Sequence, residues 1–290
     1  MEEIDVVLPY VNHNDQNWLN EIKQYTNEID LERFRSFDNL DILLKLINKN
    51  MSWVRNIYLV VSSDTQITDY IRRIPKVKVV LHKDIIPQEL LPTFNALTIE
   101  FFFNRIPDLS EKYIYFNDDM FPLKELSPTE FFHNDKPCLD MKFLPQPKTK
   151  FGLFCLNNKR LIEKDIGRKL DNEFGYWCPK HYCLPILKTT MNYFWDKYGN
   201  ELTKSFSKFR QTKNFTQYLF SQWHYYRNDY IPIQMDFNYV QFDYPFVDIV
   251  TAIREQKHKL ICINDDCMYQ KYFEYYKKKL NSVLLENLNK

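Results

Sequence analysis

Apolar and polar positions over the first 120 residues alternate between two periods. Residues 4–11, Ile-Asp-Val-Val-Leu-Pro-Tyr-Val, form a nearly continuous apolar run, as expected of a strand buried on both faces. The run opens into polar Asn12-His13-Asn14-Asp15, where Asn14 or Asp15 suits the N-cap of a helix through Trp18, Leu19 and Ile22. Asp38 or Asn39 suits the next cap, followed by Leu40, Leu43, Leu44 and Ile47 at helical spacing. Residues 56–62 and 76–82 read as strands, 95–106 as a helix, and 112–117 as an aromatic strand ending at Asp118-Asp119.

Strands alternating with helices predict an α/β fold, with a mostly parallel sheet flanked by helices, Rossmann-like or GT-A-like. Right-handed crossovers would then gather the polar strand ends along one edge: 12–15, 62–64, 82–84 and 117–119. A nucleotide site belongs there. A Pro- and Lys-rich stretch with Pro137, Pro145 and Pro147 marks a boundary, dividing the chain into 1–133 and a mostly helical 134–290 that completes the same site. Within the second part, 151–156 reads as a strand, 183–199 and 213–227 as helices. A final helix carries Tyr269, Tyr272, Phe273, Tyr276, Leu280 and Leu284 on one face. Its Lys277-Lys278-Lys279 run reads as a solvated face, with contact to a membrane surface as the sharper alternative.

Composition narrows the chemistry. Of 290 residues only four are glycine, at 152, 167, 175 and 199, where average usage of about 7% would give roughly 20. The dinucleotide G-x-G-x-x-G, the P-loop and the G-x-S-x-G elbow are therefore excluded. Any phosphate must be held by side chains, metal or helix ends. The net charge of +1 gives no global field for nucleic acid. No apolar run approaches a membrane span, and the acidic start enters a strand pattern at once, which predicts a cytoplasmic chain.

Asp118-Asp119 at the end of a buried strand is the most informative local feature. Adjacent carboxylates repel, and a divalent cation relieves them; a helix cap with a solvated turn residue is the plainer alternative. Asn264-Asp265-Asp266 repeats the Asn117-Asp118-Asp119 triplet, again after an apolar run, and could complete one metal shell or simply cap a helix. His181 sits in an irregular prolyl segment suited to a site edge, between Cys178 and Cys183. That pair and Cys262/Cys267 share a C-x4-C spacing, but C-x2-C is commoner for zinc, and buried thiols are the simpler reading.

Several ordered blocks resemble the Stealth family of sugar-phosphate transferases. The first is Ile4 to Asp15. The second comprises Trp53-Val-Arg-Asn-Ile-Tyr58, His82-Lys-Asp84, Leu91-Pro-Thr-Phe-Asn95, Ile99-Glu100 and Leu109 to Phe121. The third is His181 with Lys208-Phe-Arg210, and the fourth Cys262-Ile-Asn-Asp-Asp266. The resemblance runs from residue 4 to about 267. It implies transfer of a hexose-1-phosphate from a UDP-sugar to a glycan hydroxyl, forming a phosphodiester and releasing UMP, with Mg2+ or Mn2+ as cofactor. By position it implies that His181, Arg210 and Asp118 are catalytic. It also implies that Asp5, Asn12, Asp15, Asn95 and Asn117 lie on the nucleotide side, and that Asp119, Asn264 and Asp265 are the metal residues. The expected partners are a UDP-hexose donor and a lipid-linked glycan acceptor of capsule or exopolysaccharide synthesis, reached at the inner membrane face; nucleic acid is not among them. Two departures stand out: Leu43-Leu44 replaces the family's Arg-Tyr, and His181-Tyr-Cys-Leu-Pro replaces the more usual His-x-Pro.

An ordinary metal-dependent glycosyltransferase would use the same donor but attack sugar carbon and release UDP. A non-catalytic carbohydrate-binding scaffold would account for the aromatic content of 17%, yet gives no reason for two Asn-Asp-Asp triplets.

Overall fold

A computed structural model describes residues 3–29, 33–145, 149–170, 175–242, 246–265 and 272–290. Strand β1 (Ile4–Pro9) leads to α1 (Gln16–Ile22) and α2 (Leu40–Asn50), then β2 (Ile57–Val61), α3 (Asp69–Arg72), β3 (Val77–Leu81) and α4 (His82–Ile85). Next come α5 (Ala96–Ile99), β4 (Lys112–Tyr115), β5 (Met120–Pro122), β6 (Phe132–His133), β7 (Lys136–Leu139) and β8 (Met141–Pro145). The remainder is α6 (Lys150–Ile166), β9 (Gly175–Pro179), β10 (Leu184–Leu187), α7 (Lys188–Ser205), α8 (Tyr218–Tyr226), β11 (Ile231–Pro232), β12 (Phe237–Gln241), α9 (Phe246–Arg254), β13 (Leu260–Asn264) and α10 (Phe273–Leu288).

The central sheet has the order β10-β4-β1-β2-β3. Its four strands from the first half are mutually parallel, and β10 joins antiparallel with Leu184 opposite Tyr115. The α/β expectation is met. Every residue of β2 and β4 is buried, which is why these segments read as unbroken apolar runs. The second half does not stand apart. It lends β10 to this sheet, and β13 pairs antiparallel with β5 while lying parallel to β12. Among its described residues the helices α6 to α10 outweigh the short strands between them.

Two segments differ from expectation for identifiable reasons. Residues 151–156 are helical, because Thr149 caps α6 by accepting from the Gly152 N–H, and Phe154, Cys155, Asn158, Leu161 and Ile162 face the core at helical spacing. The expected long helix at 95–106 divides into short α5 and a 3-10 stretch, Glu100–Arg105. There Phe101 packs on Phe220, Phe102 on Trp195 and Phe103 on Tyr115, so consecutive rings are buried in three directions.

Leu43 and Leu44 are both fully buried on α2 as core residues. Lys277 is turned inward to Asp38 at 2.7 Å rather than solvated with its neighbours. Cys138, Cys155, Cys178, Cys183 and Cys262 are buried free thiols; Cys267, Asp266, Tyr269 and Pro147 lie outside the described residues. No helix among the described residues is long and apolar enough to cross a membrane.

Candidate active site

Three strands converge at the carboxyl edge of the central sheet. Chain leaving β4 becomes Asn117-Asp118-Asp119 before turning into β5. Because β5 pairs with β13, the Ile263 N–H donates to the Asp119 carbonyl at 2.9 Å, and the second Asn-Asp block follows immediately. His181 arrives from the other side. It follows β9 at the apex of a tight turn closed by the Tyr182 N–H on the Lys180 carbonyl, and β10 then runs antiparallel to β4. That register brings His181 across from the acidic pair.

His181 Nε2 is 3.9 Å from Asp119 Oδ2, and its Nδ1 is 2.8 Å from the buried Tyr218 hydroxyl. The Tyr239 ring, 43% exposed, stands edge-on to the imidazole at 5.6 Å. Cys262 Sγ donates to Asp119 Oδ2 at 3.4 Å, while Asp119 Oδ1 is buried without a hydrogen-bond partner among the described residues. Beside it the Asp118 carboxyl is pushed up to about 7, by burial first and then by the charge of Asp119. Two crowded carboxyls, one with an orphaned oxygen, suit a divalent cation. Among the described residues, the only set of three His, Cys or acidic ligand atoms close enough to share an ion is Asp119, His181 and Cys262.

Asp265 is placed differently from expectation. Its two carboxylate oxygens are taken by Arg35 at 2.5 and 2.7 Å, and the Arg35 guanidinium lies over the Phe273 ring at 4.1 Å. The side chain therefore fastens the strand end to α10. Asn264 ends β13, where its carbonyl accepts from the Phe242 N–H.

The expected nucleotide-side residues separate into two groups. Asn12 lines a cavity of about 360 Å³ with Tyr10, Asp38, Gln66, Thr68 and Tyr70, outside the carboxyl ends of β1 and β2. Tyr10 links this cavity to the acidic pair: burial, then the charges of Asp118 and Asp38, push its phenol up to about 12 despite a hydrogen bond with Ser36. Asp15 lies beneath, capping α1 and accepting from Thr65 and Gln66 at 2.6 and 2.9 Å. Asp5 is at the opposite end of β1, fully buried, where it accepts two bonds from Arg55 and one from the Ser110 N–H. It is a structural carboxylate, remote from the edge. Asn95 is also fully buried, and its amide binds the Ser207 carbonyl and Asn214, fixing the loop that carries Arg210. Arg210 is exposed on that loop.

Glu100 belongs to the site although its place there is not evident from its sequence neighbourhood. Buried beside Tyr115, it is pushed up to about 7 by burial, against the Tyr115 hydrogen bond and the Arg210 charge, which lower it. The Tyr115 hydroxyl lies between Glu100 Oε1, at 2.7 Å, and Asn117 Oδ1, so the carboxyl braces the strand end that presents Asp118 and Asp119. One carboxylate directly before Phe101-Phe102-Phe103 was the available signal.

Residues 33–139 match the family model Stealth protein CR2, conserved region 2. The capsular polysaccharide phosphotransferase WcwK of Streptococcus pneumoniae is 30% identical over 304 aligned residues, covering 92% of this chain and 91% of that protein. The chain belongs to the Stealth family of phosphotransferases. The exopolysaccharide phosphotransferase cps2G of Lactiplantibacillus plantarum is 27% identical, over 99% of this chain and 94% of its own length. For the capsular polysaccharide phosphotransferase fcs1 of Haemophilus influenzae the values are 31%, 73% and 61%. Among solved structures, the galactosyltransferase LgtC covers 97% of this chain and 95% of its own at 9% identity, with a TM-score of 0.45, too distant to bear on chemistry. Of the Stealth blocks of this phosphotransferase, the second, third and fourth thus approach one another through Asp119, His181 and Cys262.

Proposed function

We propose that this Stealth phosphotransferase moves a hexose-1-phosphate from a UDP-sugar to a hydroxyl of a capsular or exopolysaccharide glycan, forming a phosphodiester and releasing UMP. The observation that carries the reading is the His181 imidazole, anchored at Nδ1 by Tyr218 with Nε2 directed toward Asp119 at the sheet edge.

For Nε2 to act as base, the ring hydrogen must reside on Nδ1 and be donated to the Tyr218 oxygen. Nε2 then takes the acceptor hydroxyl proton as its oxygen bonds to the phosphorus next to the hexose. The phosphoanhydride bond to UMP breaks, and its electron pair leaves on the UMP phosphate. Asp119, 3.9 Å from Nε2, offsets the charge the imidazole gains. Arg210, exposed on its loop and with its charge felt at Glu100, would draw the phosphoryl oxygens. Asp118 and Asp119 are the residues that would hold a divalent cation of the Mg2+ or Mn2+ type, which when bound neutralises diphosphate charge. Asn12 and Tyr10 place the nucleoside in the cavity at the ends of β1 and β2. A lipid-linked acceptor would be met at the inner membrane face.

The test is the nucleotide product. With UDP-hexose and a glycan acceptor, the reading requires UMP; release of UDP would convert the protein to an ordinary glycosyltransferase.

A further inference from the structure

Asp119 and His181, each from a strand end, and Cys262, from the middle of β13, reach one point, and one ligand atom of each lies within 4.8 Å of the others. Cys262 Sγ is 3.4 Å and His181 Nε2 3.9 Å from the same carboxylate oxygen. Zinc bonds of about 2.3 Å to sulfur and 2.0–2.1 Å to nitrogen or oxygen give tetrahedral edges of about 3.3–3.5 Å. The sulfur and imidazole spacings to that oxygen are therefore already near those of such a site. The outer contacts suit it as well: the Tyr218 hydroxyl on His181 Nδ1 fixes the ring as partners of ligating imidazoles do. Asp119 Oδ1 is buried with no hydrogen-bond partner among the described residues, leaving carboxylate capacity unused. A sulfur, an imidazole nitrogen and one carboxylate oxygen form a borderline-soft donor set. Mg2+ instead seeks six oxygens and keeps its waters.

We propose that Asp119, His181 and Cys262 form a site for a thiophilic divalent cation of the Zn2+ type, and that filling it switches transfer off. Binding exchanges the Cys262 S–H bond for a sulfur–metal bond and sends that proton to solvent. His181 gives its Nε2 lone pair, and the fourth position stays open to water. An imidazole committed in this way has no lone pair for an acceptor proton. The switch thus rests on His181 being the base, whereas the binding does not.

The experiment is a Co2+ titration of the full chain without other metals. The expected result is one equivalent bound with a thiolate-to-cobalt absorption in the near ultraviolet. Cys262→Ser should abolish that band and weaken Zn2+ binding about tenfold or more, measured by competition with a chromogenic chelator. Circular dichroism confirms the fold of the variant, and Cys262→Ala provides a second version. Absence of the band in the natural protein, or its persistence in both variants through another cysteine, overturns the site. Zn2+ at the filling concentration should stop nucleotide release, and a chelator should restore it; continued turnover overturns the switch. If UDP rather than UMP is released, the functional reading fails while the cobalt result stands on its own.

Discussion

His181 presents Nε2 to Asp119 Oδ2 at 3.9 Å, across the ends of two neighbouring strands, β4 and β10, that run in opposite directions. The pairing register creates this relationship, since neither residue has the other nearby in sequence. A base whose far side is anchored and whose near side faces a carboxylate should lose rate when either support is removed. His181→Ala is expected to lower kcat by about 10²–10⁴, the usual worth of a positioned base. Tyr218→Phe keeps the packing but removes the oxygen held by Nδ1, and should lower kcat about tenfold or more with donor KM little changed. Near-native turnover in His181→Ala would remove the imidazole from the mechanism.

Asp5 provides a contrast, a carboxylate matched to the family's first block that the fold uses for stability. Burial raises its carboxyl, but the bonds from Arg55 and Ser110 outweigh that and hold it below the ordinary range. Its stabilisation is present at neutral pH and is lost as pH falls through that lowered value. Asp5→Ala takes the buried acceptor from Arg55 and the Ser110 N–H; Arg55 is part-exposed and keeps Glu3 and the Asp108 carbonyl, so the cost is that of unsatisfied buried donors, about 1–3 kcal/mol. Urea denaturation should register that loss at pH 7, with donor KM unchanged in whatever folded enzyme remains. A raised donor KM at full stability would return Asp5 to the nucleotide side.

The central strands were legible because both faces are buried, so Ile57 to Val61 and Lys112 to Tyr115 leave little ambiguity of period. Residues 151–156 were not, because a short apolar run suits a strand or a helix, and the Thr149 cap decides it. At the site, Asp118, Asp119 and His181 were readable as chemistry placed at strand ends. The Arg35 pairing that occupies Asp265 was not, since it depends on a partner far away in sequence. Glu100 stood in a matched block and directly before three Phe residues, but its partner Tyr115 lies on β4, so the sequence signalled its burial without its role.

Glu100 carries a pH signature of its own. The carboxyl is pushed up to about 7 from an ordinary value of 4.5, chiefly by burial. Between those values the folded chain holds a proton that the unfolded chain has released. Stability therefore falls as pH rises from about 4.5 to about 7, and is level above. Glu100→Gln cannot ionise and keeps a polar group for Tyr115, so it should remove the Glu100 share of the slope, with an upper bound of ~3 kcal/mol, and leave the share of Asp118, whose carboxyl is also raised to about 7. Urea midpoints at pH 5 and pH 8 check this. Parallel pH dependences in the two proteins would mean that Glu100 is not the group responsible.

The adjacent carboxyls at the end of β4 make the last expectation concrete. Asp119 Oδ1 is buried without a hydrogen-bond partner among the described residues, and Asp118 stands beside it with an upshifted carboxyl. A bound cation would supply the missing partner and relieve the repulsion, so Mn2+ should raise the melting temperature of the natural protein. Asp119→Asn replaces one ligand oxygen with an amide nitrogen and removes a charge; it should weaken Mn2+ binding about tenfold or more and abolish transfer. Asp265→Asn should leave Mn2+ affinity nearly intact and instead lower stability, because both Asp265 oxygens are already bound to Arg35. Calorimetric titration of Mn2+ into the two variants separates the roles. Equal loss of affinity in both would place Asp265 in the metal shell and require Arg35 to release it on binding.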